Sequence, residues 1–153
     1  MILELHNVTI GQQIRSLSMT VESGQLVGIS GAQGSGKTTL VRAILGFIPV
    51  DNGHISIDGE LLTPRSAPWF RKQMAYVPQH LSVPDGYDMD TDYLHLVERA
   101  VRSGKALMIV DEPEQPLSES EQEAVDRLLH EAAEKGSIVL AVNPRITENQ
   151  IAL

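Results

Sequence analysis

A chain of 153 residues is long enough for one domain with a proper core and too short for two comfortable ones. Twelve Lys plus Arg against twenty Asp plus Glu give a formal charge of −8, which argues against a nucleic-acid partner held by broad phosphate attraction. No cysteine is present, so disulfides and cysteine-ligated zinc are excluded. The opening MILELHNVTI has no basic start to an apolar run and does not read as a signal peptide. The longest apolar stretches, such as ALMIV at 106–110, fall far short of the ~20 residues that cross a bilayer. The expectation is a cytoplasmic protein with no membrane insertion of its own. Any place at the inner membrane would come through a partner.

In chain order, short apolar runs bounded by Gly, Asp or Pro predict strands at 2–5, 17–21, 26–30, 54–57 and 74–77. The first of these pair most simply as an antiparallel layer. The run 26–30 leads through a glycine-rich bend into a helix predicted over 37–46. The segment 80–90 has no clear period and reads as a loop. A second helix is expected over 91–103. The runs 106–110 and 137–142 are apolar on both alternating faces, the pattern of a parallel sheet. Between them lies a helix predicted over 119–134. Ser118 is its N-cap and Glu121 the partner of a capping box, Ala124, Val125, Leu128, Leu129 and Ala132 form one stripe, and Gly136 follows the end. The whole reads as one α/β domain over 1–153: a parallel sheet core flanked by helices, with an antiparallel β layer near the N-terminus.

Two motifs carry chemistry. Gly31, Gly36, Lys37 and Thr38 fit G-x-x-x-x-G-K-[ST], with Ala32, Gln33, Gly34 and Ser35 between. Glycines let backbone N–H groups turn inward around phosphate oxygens. The helix that follows, starting at Lys37, Thr38 and Thr39, offers its positive end to the same anion. Lys37 would reach the β- and γ-phosphates and the Thr38 hydroxyl would ligate Mg²⁺. The second motif is ALMIVDEP, in which a buried strand ends in two acids. The C-terminal end of a parallel strand faces the ligand crevice, so Asp111 is placed to hold Mg²⁺ and Glu112 to act as general base on an attacking water.

These pieces together resemble the nucleotide-binding subunits of ABC (ATP-binding cassette) ATPases. The likeness is carried by the Walker A stretch GAQGSGKTTL, by GHISIDGE, by MAYVPQ, and by Walker B with its glutamate, LMIVDEP. It implies a P-loop NTPase-like fold, ATP rather than GTP, and Mg²⁺. It also implies a partner: a second copy in a homodimer, or an ABC-type membrane permease. It makes Gln79 a Mg²⁺ and water contact that couples to such a partner. Departures are equally visible. Only 31 residues (80–110) separate Gln79 from Asp111, so the family's helical arm is missing, and no LSGGQ-like signature occurs. YDMDT at 87–91 stands in its place, with Asp88 and Asp90 set against a polyanion. Ile10 stands where a ring would stack on adenine, Ser118 where the D-loop aspartate stands, and Pro144 where the switch histidine stands. Asn143 beside it could bind a phosphate oxygen. The family's terminal strands and helix are expected to be absent.

Three possibilities follow from this reading. One is a minimal ABC-type ATPase, turning over slowly because a partner's contribution to transition-state charge is missing. Another is a non-hydrolysing nucleotide-binding sensor or accessory module of a larger assembly. A remnant or engineered fragment that folds and does little is the third.

Overall fold

The computed structural model of the protein describes residues 1–78, 93–113 and 116–153. The chain begins with two long antiparallel strands, β1 (Ile2–Ile10) and β2 (Ile14–Glu22), followed by β3 (Leu26–Ser30) and α1 (Lys37–Ile44). β4 (Asn52–Ile57), β5 (Glu60–Leu62), α2 (Ala67–Arg71) and β6 (Met74–Val77) come next. They are followed by α3 (Tyr93–Ser103), β7 (Leu107–Val110), α4 (Glu119–Glu134), β8 (Ile138–Ala141) and β9 (Gln150–Ala152). One sheet is antiparallel in the order β2-β1-β4-β5, and the other is parallel in the order β6-β7-β8-β3-β9.

The central parallel strands β7, β8 and β3 are buried on both faces, and their period-2 alternation splits the core in two. Leu107, Ile109, Ile138, Leu140 and Ile29 point toward α1 and the antiparallel sheet, where Leu3, Leu5, Val8, Ile14, Leu40, Ile44 and Ile55 meet them. Met108, Val110, Val139 and Ala141 point the other way and are covered by Val97 and Val101 of α3 and Val125, Leu129 and Ala132 of α4. The layers are therefore antiparallel sheet with α1, parallel sheet, then α3 and α4.

The first strand is longer than its apolar run suggests. Leu3 and Leu5 share the buried face, but the next buried residues are Val8 and Ile10, one step out of phase. Register shifts between Leu5 and Val8 and again between Val8 and Ile10, with Asn7 at φ 47°, absorb the extra residue as a bulge. The alternation that betrays a strand is broken there. α4 starts and ends where its sequence signals place it. Ser118 Oγ accepts from Glu121 N at 3.2 Å, and Glu121 Oε1 accepts from Ser118 N at 3.2 Å, closing the capping box.

β9 lies beyond the last predicted strand and pairs parallel to β3, with Gly28 N donating to Asn149 O at 2.8 Å and Leu153 N to Ser30 O at 2.9 Å. The chain thus adds a strand where none was expected. The approach leaves no room at Gly28: a Cβ there would lie 2.4 Å from the Ile146 carbonyl oxygen and 2.9 Å from its Cβ. Gly28→Ala should destabilise the fold by about 1–3 kcal/mol. The check is the urea midpoint, and an unchanged midpoint would contradict this packing.

The segment leading to β9 is tied to α4 by charge. His130 Nδ1 donates to the Asp126 carbonyl at 2.7 Å, and its Nε2 lies 3.1 Å from both oxygens of Glu148. These bonds raise the His130 pKa above its usual value, the backbone contact first and the Glu148 carboxylate second. A raised pKa means that the contribution is complete below the unfolded value of about 6.5 and fades as pH climbs through the folded value. The pair is exposed, so no more than about 0.5 kcal/mol should disappear between mildly acidic and mildly alkaline pH. His130→Gln should flatten that slope in pH-dependent melts.

Candidate functional site

The bend after β3 is shaped by glycines with positive φ. Gly36, at φ 105°, is the left-handed N-cap of α1. A Cβ on it would come within 3.0 Å of Gln13 Cβ and 3.1 Å of Ile14 Cγ1, so a side chain is excluded on two counts. No side chain caps α1. Its first-turn N–H groups are left to the cavity that Gly36, Lys37, Thr38 and Thr39 line. Ser35 Oγ is buried and has no hydrogen-bond partner among the described residues. A buried hydroxyl without a partner is costly unless something supplies one.

Lys37 sets the position of the loop against the strand end. Its Nζ donates to the Gly31 carbonyl at 2.7 Å and lies 3.9 Å from Glu112 Oε2. The ammonium holds the start of the bend and faces the acid pair at the end of β7. Asp111 is 3% exposed, a buried polar residue at the C-terminal edge of the parallel sheet. Its N–H donates to Val77 O at 2.8 Å, and its Oδ1 accepts from Glu112 N at 2.8 Å. Glu112 is about half exposed. Lys37, Thr38, Thr39, Gln33, Gly34, Gly36, Asp111 and Glu112 line one cavity of about 620 Å³ together with Gln13 and Val142. That volume lies within the range of small-molecule sites.

The arrangement brings together nearly all of the residues that the sequence marks. Gly31 and Ser35 are half-buried in the loop, and Ala32 is exposed on it. Gln79, Asp88 and Asp90 lie outside the described residues. Asn143 is placed differently from its expected role. Its Nδ2 donates to Asp126 Oδ1 at 3.4 Å and its Oδ1 accepts from Arg145 N at 2.9 Å, and only its neighbour Val142 lines the cavity. Asp126 and Arg145, themselves paired at 3.2 Å, claim the amide. Ile10 is buried in the core, 8% exposed.

Two contributors lie outside the two motifs. Gln13, in the turn between β1 and β2, donates from Nε2 to Gly34 O at 3.0 Å and accepts at Oε1 from Thr39 Oγ1 at 3.0 Å. Tyr93, the first residue of α3, donates its hydroxyl to the Asp111 carbonyl. Burial, with Asp111 and Glu112 close by, raises its pKa, so the phenol stays a donor. The hydroxyl fixes the peptide that joins the two acids.

Comparison with known proteins gives the same picture. A model of the family described as ABC transporter matches residues 14–140. The manganese transport system ATP-binding protein MntB of Bacillus subtilis is 38% identical over 98 residues, 61% of this chain and 36% of that protein. The chain covers only 6% to 36% of the length of the curated relatives first matched. In fold it is similar to an ATP-binding subunit of an ABC transporter, with TM-score 0.80 at 19% identity, over 100% of this chain and 86% of that one. It is also similar to a dimeric ATP-binding cassette in a post-hydrolysis state bound to ADP and Pi, with TM-score 0.78 at 18% identity, over 99% and 94% of the two chains. With the family match running through both the glycine-rich bend and the strand that ends at Asp111, the chain belongs to the ABC transporter family and is an ATP-binding-cassette domain with a P-loop NTPase fold.

Proposed function

We propose that the protein, as a single domain over 1–153, binds Mg²⁺·ATP in this cavity and hydrolyses it slowly. The observation that carries the reading is Lys37, whose Nζ is anchored on Gly31 O and lies 3.9 Å from Glu112, so that loop and acid pair share one cavity. The orphaned Ser35 hydroxyl and the uncapped start of α1 fit an anion that brings its own acceptors. The ADP- and Pi-bound cassette of similar fold supports the same ligand class.

Backbone N–H groups of residues 31–36 and the first turn of α1 would receive the phosphates, with Thr39 at the end of the cradle. Lys37 carries positive charge toward the γ-phosphate. Thr38 and Asp111 would hold the metal ion, with Gln79 added by the family resemblance. When bound, the metal neutralises charge on the phosphate oxygens. Glu112 takes the proton of the attacking water as its oxygen bonds to the γ-phosphorus and the bond to the β–γ bridging oxygen breaks, giving ADP and phosphate. Tyr93 and the Val77 carbonyl hold the Asp111–Glu112 backbone still while this happens.

The chain offers no LSGGQ-like loop, so charge stabilisation from a partner is reduced. Partners of the right kind are a second copy of the chain or an ABC-type permease, which would hold the protein at the cytoplasmic face of the inner membrane. Among the described residues no helix is long and apolar enough to cross a membrane.

A second reading, a nucleotide-binding sensor or accessory module without turnover, is favoured by Asn143. Its amide is committed to Asp126 and Arg145, and Pro144 next to it has no donor. Phosphate release by wild type and by Glu112→Gln separates the two. A rate that falls with the substitution supports hydrolysis, and an equal background rate leaves the sensor.

A further inference from the structure

We propose that the cavity recognises the triphosphate and not the base, so that its ligand class is any nucleoside triphosphate, and that Gln13 is the positioning residue that sets the loop for it. This rests on the triphosphate reading above and narrows it. A protein holds a base in two ways. A flat surface, an aromatic ring or a guanidinium plane, takes the face of the base and adds affinity with little regard to which base it is. A fixed set of donors and acceptors matches the edge, and the edge is what distinguishes one base from another. Among the described residues the cavity holds no aromatic and no arginine. Apart from loop residues 33–39 and the two acids, its lining is Gln13 and Val142.

Edge reading would then fall to an amide. Gln33 is exposed on the loop and has no hydrogen bond to the described residues that would fix its amide. A side chain free to rotate can satisfy any edge and selects none. Gln13 is fixed, but it is fixed onto the protein. Its Nε2 donates to Gly34 O and its Oε1 accepts from Thr39 Oγ1, both at 3.0 Å. Swinging toward a base would break both bonds. Its Cβ also packs on Gly36, where an added methyl would lie 3.0 Å away. Gln13 therefore braces the bend at Gly34, Gly36 and Thr39. Those points orient the inward N–H groups, and their effect is the same for every ligand with the same phosphate tail. Charge and backbone amides then supply the binding, and neither differs between adenine and uracil.

The test is calorimetric titration of the whole chain with the magnesium salts of ATP, GTP, CTP and UTP and with inorganic tripolyphosphate. The four nucleotide dissociation constants are expected to fall within about tenfold of one another, because a fixed set of edge donors and acceptors, which the cavity lacks among the described residues, would separate them by more. Tripolyphosphate is expected to compete for the same site. A spread wider than that, or tripolyphosphate failing to compete, overturns the proposal while leaving nucleotide binding intact. If none of the five binds, the proposed function fails and this inference with it. Gln13→Ala should weaken all five ligands by a common factor of about 3–10. No loss, or a loss confined to nucleotides that spares tripolyphosphate, would make Gln13 a bystander or a base reader and would overturn its role.

Discussion

Lys37→Ala is expected to weaken Mg²⁺·ATP binding by roughly 30- to 150-fold. The estimate comes from one charge-assisted hydrogen bond to phosphate, about 2–3 kcal/mol. In the free protein the same ammonium spends one of its three donors on Gly31 O at 2.7 Å, so the substitution also loosens the start of the bend. That part should appear as a separate loss of about 1 kcal/mol in stability without nucleotide. The two effects are read apart by calorimetry with ligand and by urea denaturation without it. Equal loss of stability with no loss of affinity would mean that Lys37 serves the loop and not the phosphate.

Glu112→Gln should leave affinity within a fewfold of wild type and reduce phosphate release by about 10²–10⁴, the usual size of a general-base contribution. Binding survives because Glu112 is half exposed and its ion pair with Lys37, at 3.9 Å, is long. A loose exposed pair holds little energy. Removing the carboxylate also removes a negative charge from the side where the γ-phosphate would sit, so affinity should rise if it changes. Under these conditions the variant should accumulate as the nucleotide complex. A variant that loses affinity and keeps its rate would place Glu112 among the binding groups and move the proton-accepting role elsewhere.

Much of this site was legible because its parts are contiguous in sequence. A glycine bend needs its glycines at fixed spacing, and a strand end delivers consecutive acids wherever it stops, so 31–39 and 111–112 announce themselves. α4 was legible for the same reason, since its cap, stripe and terminating glycine all lie within the helix or beside it. What escaped is held by contacts distant in sequence. Gln13 reaches Gly34 across 21 residues because the antiparallel sheet folds over the bend, and nothing near Gln13 in sequence signals that. Tyr93 meets the Asp111 carbonyl across 18 residues, as a packing consequence of α3 lying on β6 and β7. Asn143 misled through proximity: it follows a strand end at the right edge of the sheet, but Asp126 and Arg145 offer better partners than open solvent. β9 is short and largely exposed, Gln-Ile-Ala, and it is a strand through its pairing with β3, which no local pattern encodes.

The loss of the arm between Gln79 and Asp111 does not disturb the parallel sheet. β6 and β7 pair directly, Met74 with Leu107 through Val77 with Val110, and α3 packs across them. The sheet edge that presents Asp111 is thus set by pairing within the core. This is why the acid pair can keep its place opposite the glycine bend in so short a chain.

The most direct measurement is a crystal structure of the protein with a non-hydrolysable ATP analogue and excess Mg²⁺. The account predicts a triphosphate wrapped by residues 31–39, with Lys37 Nζ on its terminal oxygens, the metal held at Thr38 on the Asp111 side, and Ser35 Oγ no longer without a partner. A bend that stays empty at saturating analogue, or an analogue bound elsewhere on the chain, would contradict it.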